Sequence, residues 1–320
     1  KKEPVLATTV LNNLVAGASS TSTDIYTVPN MMGDNCTYTL AYDGTSDNNL
    51  RYVGSNPCNY VTFNGESAGW RIIGILNTPE GQRIKLIRTL SIGDYSWDNK
   101  PSGTGSSTSS NGSNDWRDST LKEVLNSGAY YNRTSGTCPS YTSSTTCDFM
   151  SNGLTQDSKK QIDLITWKLD VASPTSTSLY GKVSYWYTTE RNSTTTWTGQ
   201  VGLIYPSDYG YATSGGSTSN RSACLNAILE NWNNDSYNDC VNNDWLAPTA
   251  DLSRGEMTLT GSYMPGTSEA SFMINLNSSG GLSLVGVAEN YGVRPSIYLV
   301  TTASFSDGNG SQSNPYILES

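Results

Sequence analysis

Six cysteines fall along the chain as three neighbouring pairs, and this spacing limits the possible folds more than any other feature. The pairs are Cys36 with Cys58, Cys138 with Cys147, and Cys224 with Cys240. Each pair encloses a short stretch rich in turn residues, and short polar loops are the easiest to close. No two cysteines have the CxxC spacing, which disfavours a zinc site or thioredoxin-like chemistry. We therefore expect three local structural disulfides and an oxidising, extracellular compartment.

The remaining composition favours β-structure joined by long polar loops. Of the 320 residues, 35% are hydrophobic and 15% are charged, and Ser, Thr, Asn and Gly make up much of the rest. Twenty Tyr and eight Trp stand against four Phe, so most aromatic side chains carry a polar group that suits strand faces and recognition surfaces. A chain of this length can form one large irregular domain or two ordinary ones.

The net charge disfavours a nucleic-acid partner. It is −9 at pH 7, and no stripe of Lys and Arg is visible. Binding to a phosphate backbone depends on such clustered positive charge. An acidic chain with polar loops fits a protein displayed at a cell surface, because like charges oppose self-association.

The absence of histidine bears on catalysis. The chain contains none, which removes the commonest general base, the commonest metal ligand and every Ser/His or Cys/His couple. We therefore expect no catalytic metal and no cofactor. The carboxylates Glu256, Glu269 and Glu289 belong to no motif that reports their separation, so a binding protein is favoured over an enzyme.

The N-terminal region predicts a tether. Residues 1–30 begin with a fading apolar pattern and continue through small polar residues, which indicates a tether or a short helix before a domain at 31–320. The chain starts at Lys1 without Met and contains no run of about 18 apolar residues. We expect a leader or a membrane anchor outside this chain to attach it to the cell surface.

Runs of apolar and β-branched residues bounded by turn residues predict strands in two parts of the chain. Residues 70–76 and 83–88 read as an antiparallel pair joined across Pro79-Glu80-Gly81, and the first of them is the expected central strand. Near the C-terminus, residues 271–276, 282–287 and 293–300 predict three more strands. Residues 101–114 are almost entirely Ser, Gly, Thr and Asn and predict a surface loop.

Helical spacing predicts two main helices. One starts at Asn114 or Asp115 and ends near Gly128, with an apolar stripe that includes Leu121 and Leu125. The other spans residues 158–169 and is capped by Asp157. A shorter helix is expected at residues 224–232, pinned by the third disulfide.

Several short motifs occur along the chain in a characteristic order. They are residues 59–66, Trp70-Arg71-Ile72-Ile73-Gly74, Tyr95-Ser96-Trp97-Asp98, Asn114-Asp115-Trp116, residues 205–211, Asn243-Asp244-Trp245-Leu246, Gly292-Val293-Arg294-Pro295, and Asp307-Gly308-Asn309-Gly310 followed by Asn314-Pro315-Tyr316. In this order they resemble the DUF6273-type surface domains of gut Firmicutes, which look like relatives of the C-type-lectin-like and formylglycine-generating-enzyme fold. Together they span about residues 36–318. The resemblance implies an irregular α+β fold with a twisted antiparallel sheet, two helices and long loops that carry the ligand surface.

The resemblance also points to a binding surface at about residues 255–294. Along residues 271–277 the pattern places Phe272, Ile274 and Leu276 in the core and turns the intervening side chains outward. The expected ligand-binding residues on this face and its neighbouring loops are Tyr263, Glu269, Met273, Asn275, Asn277, Asn290 and Tyr291. A merely solvated strand face remains an equal alternative, and Arg294 is interpreted as a buried structural residue.

These features together predict an extracellular bacterial surface protein, an adhesin or receptor-binding module, that recognises a glycan or a surface protein. Aromatic platforms and amide groups are the side chains that suit such ligands. A structural stalk or pilus-like subunit is the alternative, because the tether and the β-rich body suit it too. A glycan-active enzyme is less favoured.

Overall fold

A computed structural model of the chain describes residues 3–20, 25–99, 112–141, 143–172, 181–216, 218–263 and 272–319. Their strands, in chain order, are β1 Val5–Leu6, β2 Ser19–Ser20, β3 Ile25–Gly33, β4 Cys36–Tyr42, β5 Leu50–Tyr52, β6 Tyr60–Phe63, β7 Glu66–Thr78, β8 Gly81–Arg88, β9 Asp94–Ser96, β10 Ser135–Ser140, β11 Ser143–Asp148, β12 Ile165–Lys168, β13 Val171–Ala172, β14 Thr196–Gly199, β15 Val201–Gly202, β16 Glu256–Ser262, β17 Phe272–Leu276, β18 Leu282–Gly286, β19 Asn290–Gly292, β20 Ser296–Tyr298, β21 Ser304–Asp307 and β22 Tyr316–Leu318.

The helices are short and lie between these strands. The α-helices are α1 Ala7–Ala16, α2 Thr120–Asn126, α3 Ala129–Asn132, α4 Gln156–Gln161, α5 Val183–Asn192, α6 Pro206–Ala212, α7 Thr218–Asn226 and α8 Asn238–Asn242, with 3-10 turns at Trp116–Asp118, Leu229–Asn233, Asp235–Tyr237 and Ala250–Leu252. The expected α+β class is therefore confirmed. The described residues hold more helical segments than the two main ones expected, because several polar connections close into single helical turns.

The larger sheet is built around β7. Its strands run in the order β1-β21-β22-β6-β7-β5-β4-β3-β2, and a branch from β7 continues through β8 and β20 to β15. The expected hairpin is confirmed, since β7 and β8 pair antiparallel from Trp70 with Arg88 to Thr78 with Gly81. The central position of β7 is confirmed as well, because it pairs with β5, β6 and β8.

The smaller sheet contains two of the three expected C-terminal strands. Its order is β18-β17-β16-β19-β9, with β13 added beside β16. The pairing of β17 with β18 is antiparallel, from Phe272 opposite Gly286 to Leu276 opposite Leu282. The third expected strand, at residues 293–300, contributes β20 to the larger sheet instead, where Tyr298 pairs with Lys85.

Two helix predictions require correction. The helix expected from Asn114 or Asp115 is a 3-10 turn followed by α2, and Ser119 caps α2 by accepting a hydrogen bond from the Lys122 amide. The helix expected at residues 158–169 ends at Gln161, and residues 165–168 form β12. Of the apolar residues at helical spacing, Ile165 is buried in β12, which pairs with β14, and a local pattern does not reveal this pairing.

The N-terminal segment packs on the body of the protein. Helix α1 buries Ala7, Leu11 and Leu14, and β1 extends the edge of the larger sheet by pairing with β21. The expected surface loop at 101–114 lies outside the described residues as far as position 111. Within the part of the chain that is described, no helix has the length and apolar character needed to cross a bilayer.

All three expected disulfides are present. They join Cys36 to Cys58, Cys138 to Cys147 and Cys224 to Cys240. The second closes the hairpin of β10 and β11, and the third joins α7 to α8. Three disulfides indicate that the protein matures in an oxidising compartment.

Candidate functional site

The predicted recognition face on β17 is not a surface. Met273 and Asn275 are 0% and 1% exposed, so the expectation that they point outward is wrong. Strand β17 lies between β16 and β18, and the 3-10 turn Leu229–Asn233 packs against β18. Both faces of a strand are buried when both sides of its sheet are covered, and its alternation then no longer separates core from solvent.

Two of the predicted polar residues, Asn277 and Asn290, make hydrogen bonds that hold local turns and strands. Asn277 holds the β17–β18 turn, because its Oδ1 accepts from the amides of Ser279 at 2.9 Å and Gly281 at 3.1 Å. The Oδ1 of Asn290 accepts from Ser96 Oγ at 2.8 Å and from the Tyr141 amide at 2.9 Å. These side-chain oxygens are therefore already engaged within the protein.

The other predicted residues do not gather into one patch. Tyr291 is half-buried, and its hydroxyl donates to Glu289 at 2.7 Å. Tyr263 is half-buried at the end of a described segment, and Glu269 lies outside the described residues. Because β16 separates β19 from β17 in the sheet, Asn290 and Tyr291 lie two strands away from Met273 and Asn275.

A different feature stands out, a cavity of about 60 Å³ that we call the aromatic cavity. It lies where the end of β7, strand β12, helix α5 and the start of α6 meet. Its walls carry the rings of Trp167, Tyr187, Tyr205 and Tyr298. Trp167 is fixed in place, since its indole N–H donates to the carbonyl of Gly199 at 2.9 Å.

A buried charge cluster, defined as Asp43, Arg51, Lys85, Glu190 and Asp208, adjoins the aromatic cavity, whose lining includes Arg51, Glu190 and Asp208. Each of these residues is at most 7% exposed. They come from separate elements, since Arg51 lies on β5, Lys85 on β8, Glu190 on α5 and Asp208 on α6. Because an unpaired buried charge is very unfavourable, such residues must be mutually compensated.

Asp208 is the centre of this cluster. Its Oδ1 accepts from Arg51 Nη1 at 2.9 Å, and its Oδ2 accepts from Lys85 Nζ at 2.5 Å. The backbone amide of Tyr205 also donates to Oδ2 at 3.0 Å, which fixes the start of α6. Burial raises the pKa of Asp208, but Lys85 and Arg51 more than offset this effect, and the net pKa is lowered.

Arg51 and Lys85 differ in how fully their charge is compensated. Arg51 has two carboxylate partners, because its Nε also donates to Asp43 Oδ2 at 3.1 Å. Lys85 has Asp208 and lies over the rings of Tyr205, Tyr298 and Trp167, with Nζ 4.5, 5.2 and 5.3 Å from their centroids. Burial lowers the pKa of Lys85 more than Asp208 raises it.

Glu190 is a buried acid beside this cluster. Its Oε1 accepts from the Ser207 amide at 3.1 Å, and its Oε2 accepts from the Ser207 hydroxyl. Burial raises the pKa of Glu190 well above its usual value, and the negative charge of Asp208 raises it further. Glu190 therefore keeps its proton to a higher pH than an exposed glutamate.

The rim of the aromatic cavity is polar and ordered. Asp47 accepts from the hydroxyl of Tyr187 and from Asn77 Nδ2 at 3.0 Å, and it pairs with Arg191 at 2.8 Å. Burial and the bond to Asp47 raise the pKa of Tyr187 to about 12. The rim thus presents an aromatic ring, an amide and a guanidinium in fixed positions.

The sequence pattern did not predict this site, although two residues of the buried charge cluster stand out in the sequence. Lys85 interrupts the apolar run Ile84-Lys85-Leu86-Ile87, which is unusual for a buried strand. Asp208 follows Tyr205-Pro206-Ser207, within residues 205–211, one of the motifs that resemble the surface-domain family. Their partners Arg51 and Glu190 are distant along the chain, so periodicity could not connect them.

Comparison of the chain with protein-family models, with curated proteins and with solved structures finds no match.

Proposed function

We propose that this chain is an extracellular binding module of a bacterial surface that recognises a glycan at the aromatic cavity. The observation that carries the proposal is the combination of four aromatic walls with an ordered polar rim. Sugars are bound by rings that cover their apolar faces and by fixed polar groups that meet their hydroxyls. The three disulfides support an extracellular setting.

The proposal moves the binding surface away from residues 255–294. Met273 and Asn275 are buried, and the side-chain oxygens of Asn277 and Asn290 are used within the protein. A relationship to the C-type-lectin-like fold stays part of the proposal. It is supported by a largely antiparallel sheet whose long connections carry most of the short helices.

The size of the cavity limits which part of a ligand can enter. A buried water needs about 10–15 Å³ of such space, so about 60 Å³ accommodates a few waters or one small substituent. We therefore propose that a hydroxymethyl or acetamido group enters the cavity while the sugar ring lies against Tyr187. Displacement of confined waters by such a group favours binding where the group reproduces their hydrogen bonds.

A glycan array probed with the whole oxidised chain tests this proposal. We expect Tyr187→Ala to weaken binding of any sugar that scores by about tenfold or more, equivalent to ~1.4 kcal/mol. Tyr185→Ala is the matched control, because Tyr185 lies on the same helix but is 39% exposed and outside the cavity lining. Affinities from calorimetry and far-UV circular dichroism of each variant complete the comparison.

Two outcomes would contradict this function. Equal binding by wild type and Tyr187→Ala would place the sugar elsewhere. A wild-type chain that binds no glycan but retains a protein on a surface-protein array would favour the receptor-binding alternative.

A further inference from the structure

We propose that Lys85 and Asp208 become joined by an intramolecular amide bond between Lys85 Nζ and Asp208 Cγ. In this reaction Glu190 transfers protons and Arg51 holds the carbonyl oxygen. The bond would link β8 covalently to the start of α6. This inference goes beyond the proposed glycan binding and does not depend on it, although Arg51, Glu190 and Asp208 also line the aromatic cavity.

The amine of Lys85 and the carboxylate of Asp208 lie close together. Lys85 Nζ lies 2.5 Å from Asp208 Oδ2, and the side chains are 0% and 1% exposed. Lys85 is held by pairing of β8 with β7 and β20, and Asp208 is held by the Tyr205 amide. Reacting groups fixed in this way react as if at a very high effective concentration.

The pair can become neutral without leaving the charge of Arg51 uncompensated. Attack requires a neutral amine and a neutral acid, and the pair can reach this state by passing one proton from Lys85 to Asp208. Arg51 remains compensated afterwards, because Asp43 accepts its Nε at 3.1 Å. The lowered pKa of Lys85 favours this transfer, whereas the lowered pKa of Asp208 opposes it.

Aromatic rings surround the reacting pair. The rings of Tyr205, Tyr298 and Trp167 lie within 5.3 Å of Nζ and exclude bulk water from the pair. A site that excludes water strengthens the electrostatic interactions inside it and protects a reactive intermediate from side reactions. An exposed pair lacks this protection.

The chemical step balances without any other reactant. After the proton transfer, the lone pair of Nζ attacks Cγ, the N–C bond forms, and the electrons of the C=O bond move to Oδ1. Glu190 gives its proton to the Oδ2 hydroxyl, the electron pair on Oδ1 re-forms the C=O bond, the Cγ–Oδ2 bond breaks, and water leaves. Glu190 then takes a proton from the nitrogen and is restored, so an amine and an acid have become an amide and water.

Two neighbours are placed to assist. Arg51 Nη1 donates to Oδ1 at 2.9 Å, where negative charge develops during the attack, and such a fixed donor is a strong source of stabilisation. Glu190 bonds to both the amide and the hydroxyl of Ser207, the residue before Asp208. The negative charge of Glu190 raises the pKa of Lys85, and the negative charge of Asp208 raises the pKa of Glu190.

Intact-mass measurement of the full chain, purified oxidised and then reduced and denatured, tests the bond. We expect wild type to be lighter than its sequence mass by one water. Tryptic digestion should yield a branched peptide that joins residues 84–88 to residues 192–221. Lys85→Arg should keep the full sequence mass, because a guanidinium retains the ion pair but does not form the amide.

Glu190→Gln tests the proton transfer. We expect this isosteric variant to fold, as judged by circular dichroism, and to form the bond at least tenfold more slowly after refolding. The exposed pair of Lys160 and Asp157 is an internal control, since its N–O distance is 2.8 Å but both side chains are more than 70% exposed. No branched peptide should join these two residues.

A reduced wild-type chain with its full sequence mass would overturn the proposal. So would a water loss that maps to Asp43-Gly44 or Asp307-Gly308, where succinimide formation gives the same mass change. Rapid bond formation in Glu190→Gln would overturn the role of Glu190.

Discussion

At the scale of single residues, several buried charges in this protein are held by specific ionic partners. Arg294, interpreted from the sequence as structural, is 3% exposed and bonds to both carboxylate oxygens of Glu256, at 2.9 and 2.6 Å. It also donates to the carbonyl of Leu246 at 3.1 Å. Removing one member of such a pair leaves the other charge uncompensated, at a cost of about 3–5 kcal/mol.

Asp244 is a buried carboxyl group in a different environment, from which we expect a pH dependence of stability. It is 4% exposed, its Oδ1 accepts from the Leu246 amide at 2.8 Å, and its Oδ2 has no hydrogen-bond partner within the described ranges. Burial raises its pKa well above the usual 3.8. The folded state therefore holds the proton more tightly than the unfolded state.

The contribution of Asp244 to the free energy of unfolding should accordingly fall as pH rises above the pKa of this group in the unfolded chain. Each pH unit between the two pKa values removes about 1.4 kcal/mol of unfolding free energy. We expect Asp244→Asn, which does not ionise, to match wild type near pH 4 and to be more stable at pH 8. Urea unfolding of both proteins across this range measures the difference.

Asp157→Asn is the control for that experiment, because Asp157 is an exposed carboxylate on α4. Its profile should parallel that of wild type. If wild type and Asp244→Asn run parallel as well, Asp244 does not titrate in the folded protein as its burial implies.

At the scale of elements, the packing of β5 against β7 sets the position of the buried charge cluster. Gly74 on β7 faces Arg51 on β5. A Cβ at position 74 would lie 2.1 Å from the Leu50 carbonyl oxygen and 2.9 Å from Arg51 Cα. Only glycine permits this close approach of two backbones.

Gly74→Ala should therefore destabilise the protein by about 1–3 kcal/mol, because the strands must separate to admit the methyl group. Gly17→Ala is the matched control, since its Cβ would meet nothing closer than 3.5 Å. Urea midpoints of the two variants give the comparison. A Gly74→Ala protein as stable as Gly17→Ala would show that the close approach is not required.

At the scale of the whole molecule, three disulfides hold local segments while the sheets bring distant segments together. The Cys36–Cys58 bridge spans 22 residues and the Cys138–Cys147 bridge spans 9. A longer bridge restricts the unfolded chain more strongly. The shorter bridge also closes a hairpin whose strands already pair.

We therefore expect Cys36→Ser with Cys58→Ser to destabilise the protein more than Cys138→Ser with Cys147→Ser. The chain-entropy difference for these loop lengths is about 0.8 kcal/mol. Urea unfolding of the two double variants under non-reducing conditions tests the order. The reverse order would mean that native packing around the hairpin outweighs loop length.

The sequence by itself determined the features that depend on neighbouring residues. Local cysteine spacing predicted all three disulfides, because short loops close most easily. Two apolar runs on either side of Pro79-Glu80-Gly81 predicted the β7–β8 hairpin, because turn residues mark the point where the chain reverses. The absence of histidine disfavoured histidine-dependent catalysis, and the net charge of −9 disfavoured a nucleic-acid partner, without knowledge of the fold.

Tertiary structure alone decided which surfaces are covered and which charges meet. Met273 and Asn275 alternate as outward residues should, yet a second layer buries them, and no local pattern records what packs on a sheet. Ile165 has helical spacing from Ile162 but lies in β12 because β14 pairs with it. Arg51, Lys85, Glu190 and Asp208 lie far apart in the chain, and only the packing of β5, β8, α5 and α6 gathers them, because burial and ion pairing depend on contacts between distant segments.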